Sequence, residues 1–251
     1  MLVQIASDIH IEKKFPQKVV ITDFISPVEE SEMLILAGDI GSIYQYEEFK
    51  HFFLSCKEYF KYVLYVPGNN EYYLRDGFQP KSMSALNNDL VTLCKETDVI
   101  LLNNAYIETD THIIFGSTWW SYIPETLTMR VYKDNGKPID AEDFNFMHNT
   151  ARRCLNKIIQ NKGEKKLIVV SHYCPTKFGT MNLHHKKSDF VELVPYYFSS
   201  SEKYLKGVVD VWIFGHTHVF RDFYFDNGTT RIISNADPRK KFFKKNYCIE
   251  L

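Results

Sequence analysis

Apolar residues fall in short runs set apart by polar or turn-forming stretches. The runs at Leu2–Ala6, Met33–Ala37, Tyr62–Val66 and positions 99–102, 113–115, 167–170 and 211–214 are rich in Val, Ile, Leu, Tyr and Phe, which predicts buried strands. Between several of them, positions 47–59, Met83–Glu96 and Ala141–Asn161 carry helical spacing, the last preceded by Asp140 as an N-cap. Beyond Phe214 the pattern becomes a run at 219–225, an Asp226-Asn227-Gly228 turn, a run at Thr230–Ser234 and a last one at 247–249. This predicts an antiparallel meander closing a second sheet.

Strands alternating with helices indicate α/β layering. No internal repeat, low-complexity tract or Pro/Gly/Ser-rich linker divides the chain, so a single domain over 1–251 is expected. Two long irregular stretches, 119–138 and 175–201, are placed to shape a substrate pocket.

Composition narrows the class. With 45% apolar and 24% charged residues the chain has the mixture of a folded globule, and a net charge of −1 provides no global attraction to nucleic acid or anionic membrane. The five cysteines are odd in number and widely spaced, without a C-x-x-C pair, which argues against a disulfide framework or a thiolate zinc site. The first residues read as a strand and not a signal, and no apolar stretch approaches the roughly 20 residues of a membrane helix. A cytoplasmic protein is expected; the sequence leaves its oligomeric state open.

The chemistry lies immediately after the apolar runs. Asp8-Ile9-His10 places a carboxylate and an imidazole together after the first strand, and Asp39 follows the second, beside Gly38, where backbone and carboxylate can approach an ion closely. Asn69 and Asn70 follow the third in Pro67-Gly68-Asn69-Asn70-Glu71, where a carboxamide oxygen can serve as a hard neutral ligand. His172 ends the run at 167–170, and Gly215-His216-Thr217-His218 follows 211–214, with two imidazoles that an extended segment would point to one side. Five ligand sets at the C-terminal ends of five strands match where sites gather in α/β sheets.

The order D-x-H, G-D, G-N, strand-end His and G-H-x-H resembles the calcineurin-like metallophosphoesterase superfamily, with a softer similarity to its bacterial-type members at 68–73 and 116–120. The resemblance implies a four-layer αββα sandwich of two mixed sheets flanked by helices. It also implies two divalent metal ions: Asp8, His10 and His218 on one, Asn69, His172 and His216 on the other, and Asp39 bridging them. Mixed nitrogen and oxygen ligation suits manganese, taken first, with iron, zinc or cobalt as alternatives. The implied activity is hydrolysis of a small phosphomonoester or phosphodiester by a bridging hydroxide attacking in line. Asp39 and Asn70 are the expected catalytic residues, with Asn70, Tyr72, Trp119 and Trp120 bordering the substrate.

One position departs from the family. Related enzymes usually place a His where this chain has Asn70, and an amide donates a hydrogen bond but supplies no proton. His148, His184, His185 or Tyr72 is then expected to replace it, unless the leaving group is acidic enough to need no proton. The segment 234–238 also replaces a tighter Asn-Pro corner of the relatives, and Arg239 beside it is left out of the expected phosphate contacts. The alternative readings are a binding scaffold that has lost turnover and a nuclease. For the second, the basic and aromatic stretch 240–245 is the candidate surface, although a solvated edge near the C-terminus accounts for it better.

Overall fold

In the computed structural model, which describes residues 1–123, 129–178, 196–226 and 228–251, the chain forms two mixed sheets packed face to face. The first sheet has four parallel strands, β1 (Leu2–Ala6), β2 (Met33–Ala37), β3 (Tyr62–Val66) and β4 (Ile100–Leu101). The crossovers carry α1 (Tyr46–Lys57) and α2 (Met83–Glu96), and both form where an apolar stripe recurs at helical spacing. Phe49, Phe52, Phe53 and Cys56 of α1 and Leu86, Leu90 and Leu93 of α2 are buried against the outer face of this sheet, alongside Leu34 and Tyr65.

The second sheet is ordered β5-β6-β7-β8-β10-β9. Its centre, β6 (His112–Ser117), β7 (Lys166–Ser171) and β8 (Val211–Ile213), is parallel. α3 (Ala141–Asn161) covers its outer face with Ala151, Leu155 and Ile158. Asp140 caps that helix as expected, its Oδ1 accepting from the backbone N–H groups of Glu142 and Asp143 at 3.0 and 3.2 Å. Between the sheets, Ile5, Ile35, Leu64 and Val66 meet Ile114, Ile168, Val170, Ile213 and Ile233 in an all-apolar core. Adjacent strand residues face opposite ways, so Leu64 joins this inner core and Tyr65 the outer one. The layering is helix, sheet, sheet, helix, in agreement with the expected sandwich.

Two details differ from the sequence reading. β9 (Arg221–Phe225) and β10 (Thr230–Ser234) do form an antiparallel hairpin, but β10 also runs parallel to β8. The last run, β11 (Cys248–Glu250), leaves that sheet and pairs antiparallel with the free edge of β1. There Ile249 is buried in the inter-sheet core and the edge of β1 gains partners for its backbone groups. β5 (Ala105–Glu108) carries no apolar run to signal it in sequence, being a short edge strand with exposed Tyr106 and Glu108. Among the described residues no helix is long and apolar enough to cross a membrane.

Candidate metal centre

Parallel strands in both sheets end on the same side, and this brings the predicted ligands together. Asp8 and His10 leave β1, Asp39 leaves β2, Asn69 and Asn70 leave β3, His172 leaves β7, and His216 and His218 follow β8. Five of them, Asp8, His10, Asp39, His216 and His218, have φ between 53° and 66°. Side chains avoid this left-handed region unless the surroundings enforce it, and enforced strain of this kind gathers at functional sites. The G-H-x-H segment is therefore kinked and not extended, unlike the sequence expectation, while His216 and His218 still fall in two adjacent groups. Glycine is required beside them. A Cβ on Gly68 would collide with Asp39 Oδ1, and one on Gly38, at φ 83°, would run into the His172 ring.

The ligand atoms converge as two groups able to hold a metal ion, Asp8–His10–His218 and Asp39–His172–His216, each with its ligand atoms within 4.8 Å of one another. In the first, His218 Nε2 lies 3.1 Å from Asp8 Oδ1 and 3.5 Å from His10 Nε2. In the second, His172 Nε2 lies 3.0 Å from Asn69 Oδ1, 3.2 Å from Asp39 Oδ1 and 3.2 Å from His216 Nδ1. Asp39 stands between the groups, with its other oxygen, Oδ2, 3.8 Å from His10 Nε2.

Each imidazole is held from behind by its other nitrogen. His10 Nδ1 lies 2.9 Å from Glu12 Oε1, and His218 Nδ1 lies 2.8 Å from Asp237 Oδ2. His172 Nδ1 donates to the Ala37 carbonyl at 3.1 Å, and His216 Nε2 donates to that of Tyr196 at 3.3 Å. All four outward nitrogens thus carry hydrogen toward an acceptor, which leaves the inward nitrogen of each ring as the one that can bind a cation. The donor set therefore fits a pair of divalent ions.

Electrostatics follow from buried carboxylates facing these rings. Burial opposes a proton on His172, yet Asp39 and Asp8 prevail and raise its pKa to about 9. Burial likewise opposes one on His218, and Asp237 and Asp8 raise it to about 10. Asp39 sits well below the usual carboxylate range despite its burial, because His172 faces it. His216 is pushed down to about 3 by burial and by the neighbouring His172.

Several contributors were not expected from sequence. Glu71 is buried and ties the ligand loops together: its carboxylate accepts from the backbone N–H groups of Gly68 at 2.8 Å, Asp39 at 3.2 Å and Ile40 at 2.8 Å. Burial and then Asp39 push its pKa up to about 8, against the pull of His172 and of the Ile40 N–H. The Tyr73 phenol, near Asn69 and Asp39, is pushed up to about 12, by burial first. Glu12, Arg75 and Asp237 complete the surroundings. Glu12 and Arg75 lie within a few positions of a ligand motif, whereas Asp237 is 19 residues beyond His218 and carries no such signal.

The expected substrate border is corrected. Tyr72, Trp119 and Trp120 are buried in the core rather than open to solvent. The Tyr72 hydroxyl donates to Asn87 Oδ1 at 2.9 Å, and Trp119 Nε1 donates to Ser199 and Ser201 hydroxyls at 2.5 and 3.0 Å. Trp120 packs edge-on to Phe144, ring centres 4.8 Å apart. These aromatics follow strands whose outer faces need covering, and large apolar rings bury more readily than they border solvent. Two of the expected proton donors are likewise engaged. Tyr72 is one; the other, His148, donates from Nδ1 to the Trp120 carbonyl at 2.7 Å and is buried, which lowers its pKa. His184 and His185 lie outside the described residues. Arg239 donates from Nε to Asp237 Oδ1 at 2.6 Å. In the basic stretch, Lys244 Nζ sits 4.2 Å over the Phe220 ring.

Two mixed sheets carrying His and carboxylate groups at their strand ends define the architecture of a metallophosphoesterase. The chain belongs to the calcineurin-like phosphoesterase family, whose family model matches residues 1–220. It is 28% identical over 228 residues to L509 of Acanthamoeba polyphaga mimivirus, an uncharacterized protein, covering 81% of this chain and 78% of that one. Among solved structures it is similar to the phosphopantetheinyl hydrolase of Mycobacterium tuberculosis, at a TM-score of 0.63 and 17% identity, over 96% of this chain and 93% of that one. It is also similar to a dimetal phosphatase from Danio rerio, at a TM-score of 0.55 and 10% identity, over 95% and 88% of the two chains. At these identities the structural likeness shows the fold.

Proposed function

We propose that the protein is a metal-dependent hydrolase of small phosphoesters, mono- or diesters, working with two divalent ions. Asp8, His10 and His218 would hold one ion, Asn69, His172 and His216 the other, and Asp39 both. The observation that carries this reading is the set of four imidazoles, each anchored through its outer nitrogen with the inner one turned into the Asp8–His10–His218 or the Asp39–His172–His216 group. Cations bound there supply acidification of a water and neutralisation of phosphoryl charge. The chain's own residues do the rest. Buried Asp39 is fixed by the N–H of Asn70 at 2.9 Å, and the Asn70 amide donates to its second oxygen at 2.6 Å. This leaves the other amide hydrogen of Asn70 to contact a phosphoryl oxygen.

The mixed donor set favours manganese, iron, zinc or cobalt over calcium, with manganese tried first. The test is hydrolysis of p-nitrophenyl phosphate and bis-p-nitrophenyl phosphate by protein stripped with chelator and reloaded with each metal, compared with Asp39→Ala. Metal-dependent turnover that Asp39→Ala abolishes supports the reading and reveals the ester preference. Folded protein that binds two ions yet turns over neither ester supports the binding scaffold instead, which the amide at position 70 favours.

A further inference from the structure

Arg75 belongs to none of the ligand motifs, yet it backs the one position where the site has an amide. Its Nη2 donates to the Asn70 backbone carbonyl at 3.0 Å and to Asn70 Oδ1 at 3.3 Å. The same nitrogen lies 3.6 Å from Glu12 Oε1, the oxygen that holds His10 Nδ1 at 2.9 Å. A polar chain therefore runs from His10 through Glu12, Arg75 and Asn70 to Asp39. The arrangement fixes which way the amide points. With its oxygen and nitrogen exchanged, the NH2 group would face a guanidinium and the oxygen would face the Asp39 carboxylate, two repulsions in place of two attractions. The pairing with Glu12 is loose: Arg75 Nε and Glu12 Oε2 are both buried and have no hydrogen-bond partner among the described residues. The guanidinium thus retains unused donor capacity, with its side chain only 24% exposed.

We propose that Arg75 is a positioning residue that acts through Asn70, locking its amide as a hydrogen-bond donor toward the scissile phosphoester and keeping a permanent positive charge on that flank. The inference rests on the hydrolase reading above and adds a substrate class to it. Neither an amide nor a guanidinium releases a proton at neutral pH. Water oxygen forms the new P–O bond, and the P–OR bond breaks with its electron pair on the departing oxygen. The attacking water gives up its proton to solvent, and the departed anion takes one from solvent afterwards. Such a flank suits oxygens that leave as stabilised anions, as in aryl esters and phosphoanhydrides, over alkyl monoesters.

The test measures kcat and KM for the metal-loaded protein over a series of substituted phenyl phosphates and one alkyl phosphate, for wild type, Arg75→Met, Arg75→Lys and Tyr73→Phe. The wild-type rate is expected to fall steeply as the leaving group becomes more basic. Arg75→Met should lower kcat about 10²-fold, as removal of one preorganised donor does, and steepen that dependence. Arg75→Lys should restore part of the loss, and metal content should stay at the wild-type level. Inorganic phosphate, titrated calorimetrically into the loaded proteins, should bind Arg75→Met about 10-fold more weakly. A wild type indifferent to the leaving group, or Arg75→Met kinetics and phosphate binding within twofold of wild type, overturns the inference while leaving the hydrolase intact. Steepening by Tyr73→Phe in place of Arg75→Met assigns the leaving oxygen to the phenol and also overturns it. A loaded wild type that hydrolyses no ester overturns the hydrolase reading, and this inference with it.

Discussion

Asp237 grips the back of His218, with Oδ2 2.8 Å from Nδ1, while its Oδ1 accepts from Arg239 Nε at 2.6 Å. Asp237 is itself in the left-handed region, at φ 61°. The contact fixes the tautomer that turns His218 Nε2 toward Asp8, and a residue behind a ligand of this kind typically controls metal affinity by about 10–100-fold. Asp237→Asn keeps the shape and tolerates the backbone, but removes the charge behind the ring. It should weaken binding at the Asp8–His10–His218 group by about 10-fold or more. Metal titration followed by elemental analysis checks this.

Gly68→Ala should be severe for a one-carbon change. The added methyl would meet Asp39 at its backbone nitrogen and carboxylate, the group that stands between the two clusters. The far-ultraviolet circular dichroism should match that of wild type, while bound metal and turnover fall together by about 10²-fold, since small misplacements of reacting groups cost that much.

Proton and metal compete for the same nitrogens. Burial disfavours charge on His172 and His218, but the facing carboxylates raise them to about 9 and about 10, so both are protonated at neutral pH in the metal-free protein. A ligating imidazole must be neutral, so ion binding expels protons. The sign follows: affinity rises with pH up to about 10, where both rings have lost their protons, and falls as pH drops, by about tenfold per pH unit for each proton released. Calorimetry in buffers of differing ionisation enthalpy counts those protons, and a heat independent of buffer would refute the scheme.

Burial of Trp119 and Trp120 predicts a role in stability and not in recognition. Trp119→Phe removes the indole N–H shared by Ser199 and Ser201 in a fully buried setting. A loss of about 1–3 kcal/mol is expected in urea unfolding, with KM unchanged. A raised KM at unaltered stability would return these rings to the substrate border.

The strands were legible because each is an apolar run with sharp polar ends; β1, β2 and β3 keep their expected limits. The candidate ligands were legible for the same reason, since every one lies within a few residues of such an end. What lay behind them was not. Glu12 sits two positions from His10, but nothing local indicates that Asp237 reaches His218 or that Arg75 reaches Asn70, because those contacts depend on how the loops close. Tyr72, Trp119 and Trp120 look alike in sequence whether they line a pocket or plug a core; only the packing of Phe144 and Trp212 against the two indoles distinguishes them. β11 could not be assigned to its sheet, since a three-residue run names no neighbour.

Because the ligand loops come from β1, β2 and β3 of one sheet and from β7 and β8 of the other, ions bound among them would fasten the two layers to each other. Residues as far apart as Asp8 and His218 would then be cross-linked through a cation, independently of the apolar surface between the sheets. Chelation should therefore act as a mechanical release as well as a loss of activity. At a hundredfold excess of free metal over its dissociation constant, each ion contributes about 2.7 kcal/mol against unfolding, read as a melting temperature that climbs with metal concentration.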